Sequence, residues 1–238
     1  AVKKADQLFD GHDQPRVPLN EFYYNLLDKS TMEWQANLMH KYHVFGMAFY
    51  HYWFKDGKRI LEKPAENLLR WKDIDMPFCF SWANESWTRT WSNLGEKNTW
   101  SSKFEPSRDI EHTTGILLEQ KYGNEKEWCD HFQYLVRFFR DERYIKIDGK
   151  PLFLIYRPAS IPCLARMIEY WKKLAEDARF PGIYVVGVNI EKRGILDAVL
   201  LQEPQFSMRD FVSEKIIDGN RLWNHILNKK VSANRKTY

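Results

Sequence analysis

Short apolar runs of strand length recur along this chain, separated by stretches with helical periodicity, and this alternation most constrains what it can fold into. Val44–Tyr50, Pro77–Trp82, Leu152–Tyr156, Tyr184–Val188 and Ala198–Leu201 read as strands buried on both faces. Ser30 followed by Glu33 has the spacing of a capping box and predicts a helix to about His43, with Met32, Ala36, Met39 and Tyr42 on one face. Pro64 can open a short helix to about Trp71. Trp128, Phe132, Leu135, Val136 and Phe139 mark a helix over 125–141, and Leu164, Met167, Ile168, Trp171, Leu174 and Ala175 mark another. Asp148-Gly149 signals a tight turn into its strand. Residues 1–27 are polar and broken by prolines, as a loop would be, and 84–124 is too long for an ordinary connection.

Apolar strands separated by amphipathic helices predict βα units and a parallel sheet. A doubly wound sheet and a (β/α)8 barrel both satisfy that pattern. The first is disfavoured as a nucleotide binder, because no strand is followed by GxGxxG and no GxxxxGK[ST] occurs. Polar and aromatic residues follow the strands instead, where barrel enzymes place their chemistry. The expectation is therefore an α/β fold of TIM-barrel type.

At 44% hydrophobic, 238 residues can bury the core of one globular domain, and no repeat or linker marks a boundary. No apolar run reaches the roughly 18–20 residues of a membrane span, and no basic-then-apolar leader opens the chain, so a cytoplasmic location is expected. The net charge of +4 is spread along the whole length, unlike the clustered basic residues of a nucleic-acid binder. Cys79, Cys129 and Cys163 lie far apart and predict neither a disulfide framework nor a metal site.

Aromatic residues make up 16% of the chain, and where they crowd around polar side chains they point to a site. The strongest block is Ser81-Trp82-Ala83-Asn84-Glu85-Ser86-Trp87-Thr88-Arg89-Thr90-Trp91, with its carboxylate just past a strand. Glycosidic chemistry needs an acid or base beside aromatic faces that pack on sugar C–H surfaces. The plainer reading pairs Glu85 with Arg89 and uses the tryptophans for packing. Tyr50-His51-Tyr52-Trp53-Phe54 continues from another strand; His51 could bond a sugar hydroxyl or be a core histidine. Tyr156-Arg157-Pro158 offers a cation for an anionic or hydroxylated ligand, or a structural ion pair. Gln202-Glu203-Pro204 supplies a second carboxylate, which glycoside hydrolysis generally requires. The candidate catalytic residues are Glu85 and Glu203; the candidate substrate-binding residues are His51, Tyr52, Trp53, Trp82, Asn84, Trp87, Arg89, Tyr156, Arg157 and Gln202. No metal or cofactor is expected: His40 and His43 have no third ligand, and Asp73-Ile74-Asp75 precedes its strand and reads as a loop pair. The basic tail around Lys229, Lys230, Arg235 and Lys236 reads as a solvated helix end.

Gln14-Pro15-Arg16-Val17-Pro18, Tyr50-His51-Tyr52-Trp53-Phe54, Leu61-Glu62-Lys63-Pro64, Trp82-Ala83-Asn84-Glu85, Glu119-Gln120-Lys121-Tyr122 and Asp148-Gly149-Lys150-Pro151 resemble, in order, the WbsX-type domain. That family is labelled a glycosyltransferase of bacterial surface-polysaccharide (O-antigen) clusters. It is also similar to glycoside hydrolase family 99, a (β/α)8 barrel that cleaves α-mannans without a metal. The resemblance implies a barrel, an oligosaccharide or polysaccharide substrate, and no cofactor. Family members usually begin with an earlier strand and a G-F-T-E-W segment. They usually end in W-D-N-T-P-R and then N-E-W-x-E, whose glutamates match the catalytic pair of family 99. None of these motifs occurs here, so the resemblance implies a domain lacking its first and last strands. Glu85 and Glu203 are then site carboxylates without assigned roles.

Overall fold

The computed structural model of the protein describes residues 6–7, 9–12, 17–88, 116–190 and 194–202. They group into two compact units, Ala1–Phe45 with Lys63–Asp75, and Gly46–Glu62 with Met76–Tyr238.

The first unit holds α1 (Lys29–Lys41) and α2 (Lys63–Arg70). Met32, Ala36 and Met39 are buried as their spacing predicts, but two details differ. Ser30 lies inside the helix rather than capping it. Asp28 holds the cap position, and its Oδ1 accepts from Asn25 Nδ2 at 3.0 Å instead of from the helix. Tyr42 follows the last helical residue and is 64% exposed, so it leaves the apolar face. The Asp73-Ile74-Asp75 turn is structural: Ile74 is buried, Asp73 pairs with Lys29, and His40 Nε2 sits 2.9 Å from the Asp75 carbonyl.

The second unit is built on a seven-stranded sheet. Its parallel strands are β1 (Met47–Trp53), β3 (Phe78–Trp82), β7 (Lys150–Ile155), β8 (Tyr184–Val188) and β9 (Ala198–Leu200). Two short antiparallel strands join at the margins, β2 (Arg59–Ile60) on β1 and β6 (Lys146–Ile147) on β7. The parallel strands lie side by side in chain order. A doubly wound sheet is defined by a reversal of that order, so the described strands do not form one. Neither do they close into the expected barrel: among the described residues the sheet is open.

Local chemistry sets the strand limits. β1 starts three residues later than the apolar run, because the chain is still unwinding from α1: His43 has φ +55° and Val44 N–H donates to Met39 O at 2.8 Å. Gly46 then admits a close approach, since a Cβ there would sit 2.8 Å from Pro77 O. Asp148 and Gly149 both take positive φ (+50° and +75°), the turn that twists β6 back onto β7. β3 is buried throughout, as expected of a central strand. The expectation of burial on both faces fails for β1 and β9, whose Tyr50 (53%) and Leu200 (37%) are exposed. They are the outermost parallel strands and have neighbours of their own kind on one side only.

One face of this sheet is covered by α3 (Glu125–Phe139) and α4 (Leu164–Asp177), which pack on each other. Asn124 and Glu127 form a reciprocal capping box at the start of α3. Phe80 meets Phe138 of α3 (4.8 Å), and Trp82 and Phe153 meet Trp171 of α4 (6.2 and 5.4 Å), all residues at most 2% exposed.

Candidate functional site

Successive strand residues point to opposite faces, so the strand register sorts the aromatic blocks. His51 lies opposite Trp82 and Trp82 opposite Ile155, which puts His51, Trp53 and Trp82 on the helix-covered face. His51 is 4% exposed and His131 of α3 is 2% exposed. Their Nε2 atoms lie 2.8 Å apart, so one ring donates its proton and the other accepts it with a bare nitrogen. His131 stacks on Trp53 at 4.5 Å and 8°, and Trp82 Nε1–H donates to Trp53 O at 3.2 Å. Burial, with the Arg59 guanidinium second, holds His51 down at about 3, and burial holds His131 well below the ordinary imidazole range. Of the two readings open for His51, its place is that of a core histidine.

Tyr50 and Tyr52 project the other way. Tyr50 lies opposite Ser81, and Ser81 opposite Leu154; with only small residues (Ser81, Ala83) between them, the β1 tyrosines reach across β3. Tyr50 comes within 6.4 Å of Tyr156, which follows β7, and Tyr52 within 5.3 Å of Trp87. Trp87 belongs to a two-stranded ribbon of β4 (Trp87–Thr88) and β5 (Ile116–Leu118), inside the stretch expected to be an irregular connection. Gln120 N–H, just past β5, donates to Ser86 Oγ at 2.9 Å and ties this ribbon to the Glu85 turn.

Glu85 lies among these rings. Among the described residues it pairs with Arg157, Nε to Oε2 2.7 Å, with side chains 56% (Arg157) and 23% (Glu85) exposed. Two candidates from different strand ends thus meet. Burial, with the Glu85 carboxylate and Tyr50 adding, raises Tyr52 and Tyr156 above the usual phenol value. Both therefore stay protonated at neutral pH and offer O–H groups beside the carboxylate.

Asn84 makes the meeting possible. It is fully buried, and all its polar groups but the N–H serve Arg157 and Tyr122. Arg157 N–H donates to Asn84 Oδ1 at 2.7 Å, Asn84 Nδ2 donates to Arg157 O at 2.8 Å and to Tyr122 Oη at 3.3 Å, and Tyr122 O–H donates to Asn84 O at 3.0 Å. Asn84, a substrate-binding candidate on sequence grounds, acts in the structure as a clamp. It fixes the backbone of Arg157 directly and that of Glu85 as its chain neighbour. Gln202 is in a similar clamp at the far edge, where Asn189, with φ +52°, accepts from Gln202 N–H at 2.8 Å and donates to Gln202 Oε1 at 3.0 Å. Arg89 and Glu203 lie outside the described residues.

Sequence reasoning gave no role to Tyr122 or Tyr50. No spacing rule links Tyr122 to Asn84, 38 positions away. Tyr50 was legible: strand alternation puts it with Tyr52 and against His51. Among the described residues no cluster of His, Cys, Asp and Glu has metal-binding geometry, and no helix is long and apolar enough to cross a membrane.

Fold and site together define an α/β protein with a parallel sheet in chain order and an ion-paired carboxylate ringed by aromatics at its carboxyl end. The model of the glycosyltransferase WbsX family matches residues 1–236, and the chain belongs to that family. It is also 30% identical over 176 residues to the uncharacterized protein WxcX of two strains of Xanthomonas campestris pv. campestris. The match covers 74% of this chain, which spans only 22% of those relatives' length.

Proposed function

We propose that this chain is the carbohydrate-active part of an enzyme that acts on glycosidic bonds of a complex or cell-surface polysaccharide, with carboxylate-based hydrolysis or transglycosylation as its chemistry. The observation that carries the reading is Glu85, at the carboxyl end of a central parallel strand, between Arg157 and the rings of Tyr52, Tyr156 and Trp87. An acid or base held beside faces that can stack on a sugar is what glycosidic cleavage needs. The tyrosine hydroxyls add donors for sugar oxygens, and Arg157 holds the carboxylate in one orientation until substrate enters. The second carboxylate is assigned to Glu203, beside Gln202 at the β9 edge.

The chain-ordered strands with helices packed on one face also support a (β/α)8 architecture. A family match that runs through both compact units supports treating them as one domain. The family's name favours a second reading, transfer from an activated sugar donor. Donor-dependent product formation separates it from hydrolysis. The test of the shared premise is Glu85→Gln in the complete protein, expected to lower kcat/KM by about 10²–10⁴-fold with the fold intact. Unchanged turnover in a folded variant removes Glu85 from the chemistry.

A further inference from the structure

Arg157 is tied down on its backbone and under-used on its side chain. Both backbone polar groups are held by Asn84, at 2.7 and 2.8 Å, so the side chain leaves a fixed base. The guanidinium sits 5.9 Å from the ring centre of Tyr156, and its Nε lies 2.7 Å from Glu85 Oε2. Its side chain is 56% exposed, and among the described residues its two terminal nitrogens make no hydrogen bond. A guanidinium carries five N–H donors in a rigid planar fork that matches two oxygens of one anion. Here the Nε edge of the fork meets Glu85, and the rest of the side chain keeps solvent access.

We infer that the rest of the fork recognises an anionic substituent on the sugar, a carboxylate or an ester phosphate, so that the substrate is an acidic rather than a neutral glycan. The inference rests on the glycan reading above and goes beyond it. A ring stacked against Trp87 or Tyr52 places its substituents near the cluster's only described cation. An incoming anion also shares the guanidinium with Glu85 and loosens the hold on Oε2, the oxygen a proton must reach or leave. The acidic sugar would thereby release its own catalytic carboxylate, and a neutral one would leave the ion pair closed.

The test uses two probes that differ only in charge, methyl β-D-glucuronide and methyl β-D-glucoside, titrated into the complete protein with the arginine Nε–H resonances observed by NMR. The expected result is binding of the glucuronide at least about tenfold tighter, in keeping with a charge-assisted pair, with the Arg157 signal shifting. The preference should vanish in Arg157→Gln, and Arg157→Lys, which keeps the charge but not the fork, should retain part of it. Equal binding of the two glycosides overturns the inference and leaves the glycan reading standing. A preference that survives Arg157→Gln, or no binding of either probe, overturns it as well. The glycan reading falls separately, if the complete protein neither binds nor turns over any oligosaccharide or polysaccharide.

Discussion

The two faces of the central sheet are made from alternate residues of the same strands, yet they follow opposite rules. On the helix-covered face, His51, Trp82 and Phe153 are at most 4% exposed, and the buried imidazoles of His51 and His131 partner each other. On the other face, Tyr50, Tyr52 and Tyr156 keep solvent access around an ion pair that is itself partly exposed. Enrichment in aromatic residues therefore has two meanings in this chain. Rings that meet helices make the core, and rings that meet a carboxylate and a cation make a site. One residue, Asn84, belongs to neither face and couples them, since it is buried like the core and holds the two charged residues of the site.

The largest effect expected from breaking this arrangement is at Asn84. Replacement by Leu removes the side-chain partners of Arg157 N–H and Arg157 O and the donor to Tyr122 Oη in a dry environment, while the backbone carbonyl that accepts from Tyr122 O–H remains. Urea unfolding should show a loss of about 2–4 kcal/mol; a loss below about 1 kcal/mol would mean that the strand ends hold together without the clamp. The next effect sharpens the contrast through pH. The buried imidazoles are neutral in the folded protein, so unfolding takes up protons below their ordinary pKa of about 6.5. Stability is full above that value and falls as pH drops from about 6.5 toward the folded value of about 3 at His51, by up to about 1.4 kcal/mol per pH unit for each imidazole. Arg59, the charged group whose field reaches His51, acts in the same direction. Urea titrations at pH 7 and pH 5 measure the slope, and His131→Phe should flatten it; an unchanged slope would place its origin elsewhere.

A smaller effect is expected on the other face of the sheet. Trp87→Ala should weaken glycan binding about tenfold, the scale of a lost stacking ring, while stability changes by about 1 kcal/mol. Calorimetry on the complete protein with its polysaccharide, alongside a melting curve, checks both numbers. A large stability loss with unaltered binding would assign Trp87 to packing.

The sequence carried much of this division and concealed the rest for identifiable reasons. Helices α3 and α4 and strands β3 and β8 were legible, because their apolar spacing is set by burial against neighbours on known sides. β1 was displaced by three residues, since Val44 and Phe45 are apolar but exposed and their backbone still serves the end of α1. The β4–β5 ribbon could not be read, because two- and three-residue strands carry too little periodicity to register. In the site, Glu85 and Arg157 were each named, but not as partners: the 71 intervening positions hide a contact that the parallel pairing of β3 with β7 creates. The Tyr50-His51-Tyr52-Trp53 block was treated as one unit although strand alternation divides it in two. The clamp that Asn84 forms was not legible, since a buried clamp and a ligand-binding amide look alike in sequence.

Neighbours His51 and Tyr52 test the central claim most directly, because one bond separates residues assigned to opposite faces. Each is replaced by Phe, which keeps a ring and removes the polar group, and each variant of the complete protein is measured for unfolding free energy and for kcat/KM. The account predicts that His51→Phe loses about 1–3 kcal/mol of stability, the scale of an orphaned buried partner, with turnover of the folded protein within about twofold. It predicts that Tyr52→Phe keeps its stability within about 1 kcal/mol and loses roughly 5–50-fold in kcat/KM, the scale of one or two hydrogen bonds to substrate. The reverse result, a stable but inactive His51→Phe beside an unstable but active Tyr52→Phe, would contradict the assignment of the two faces.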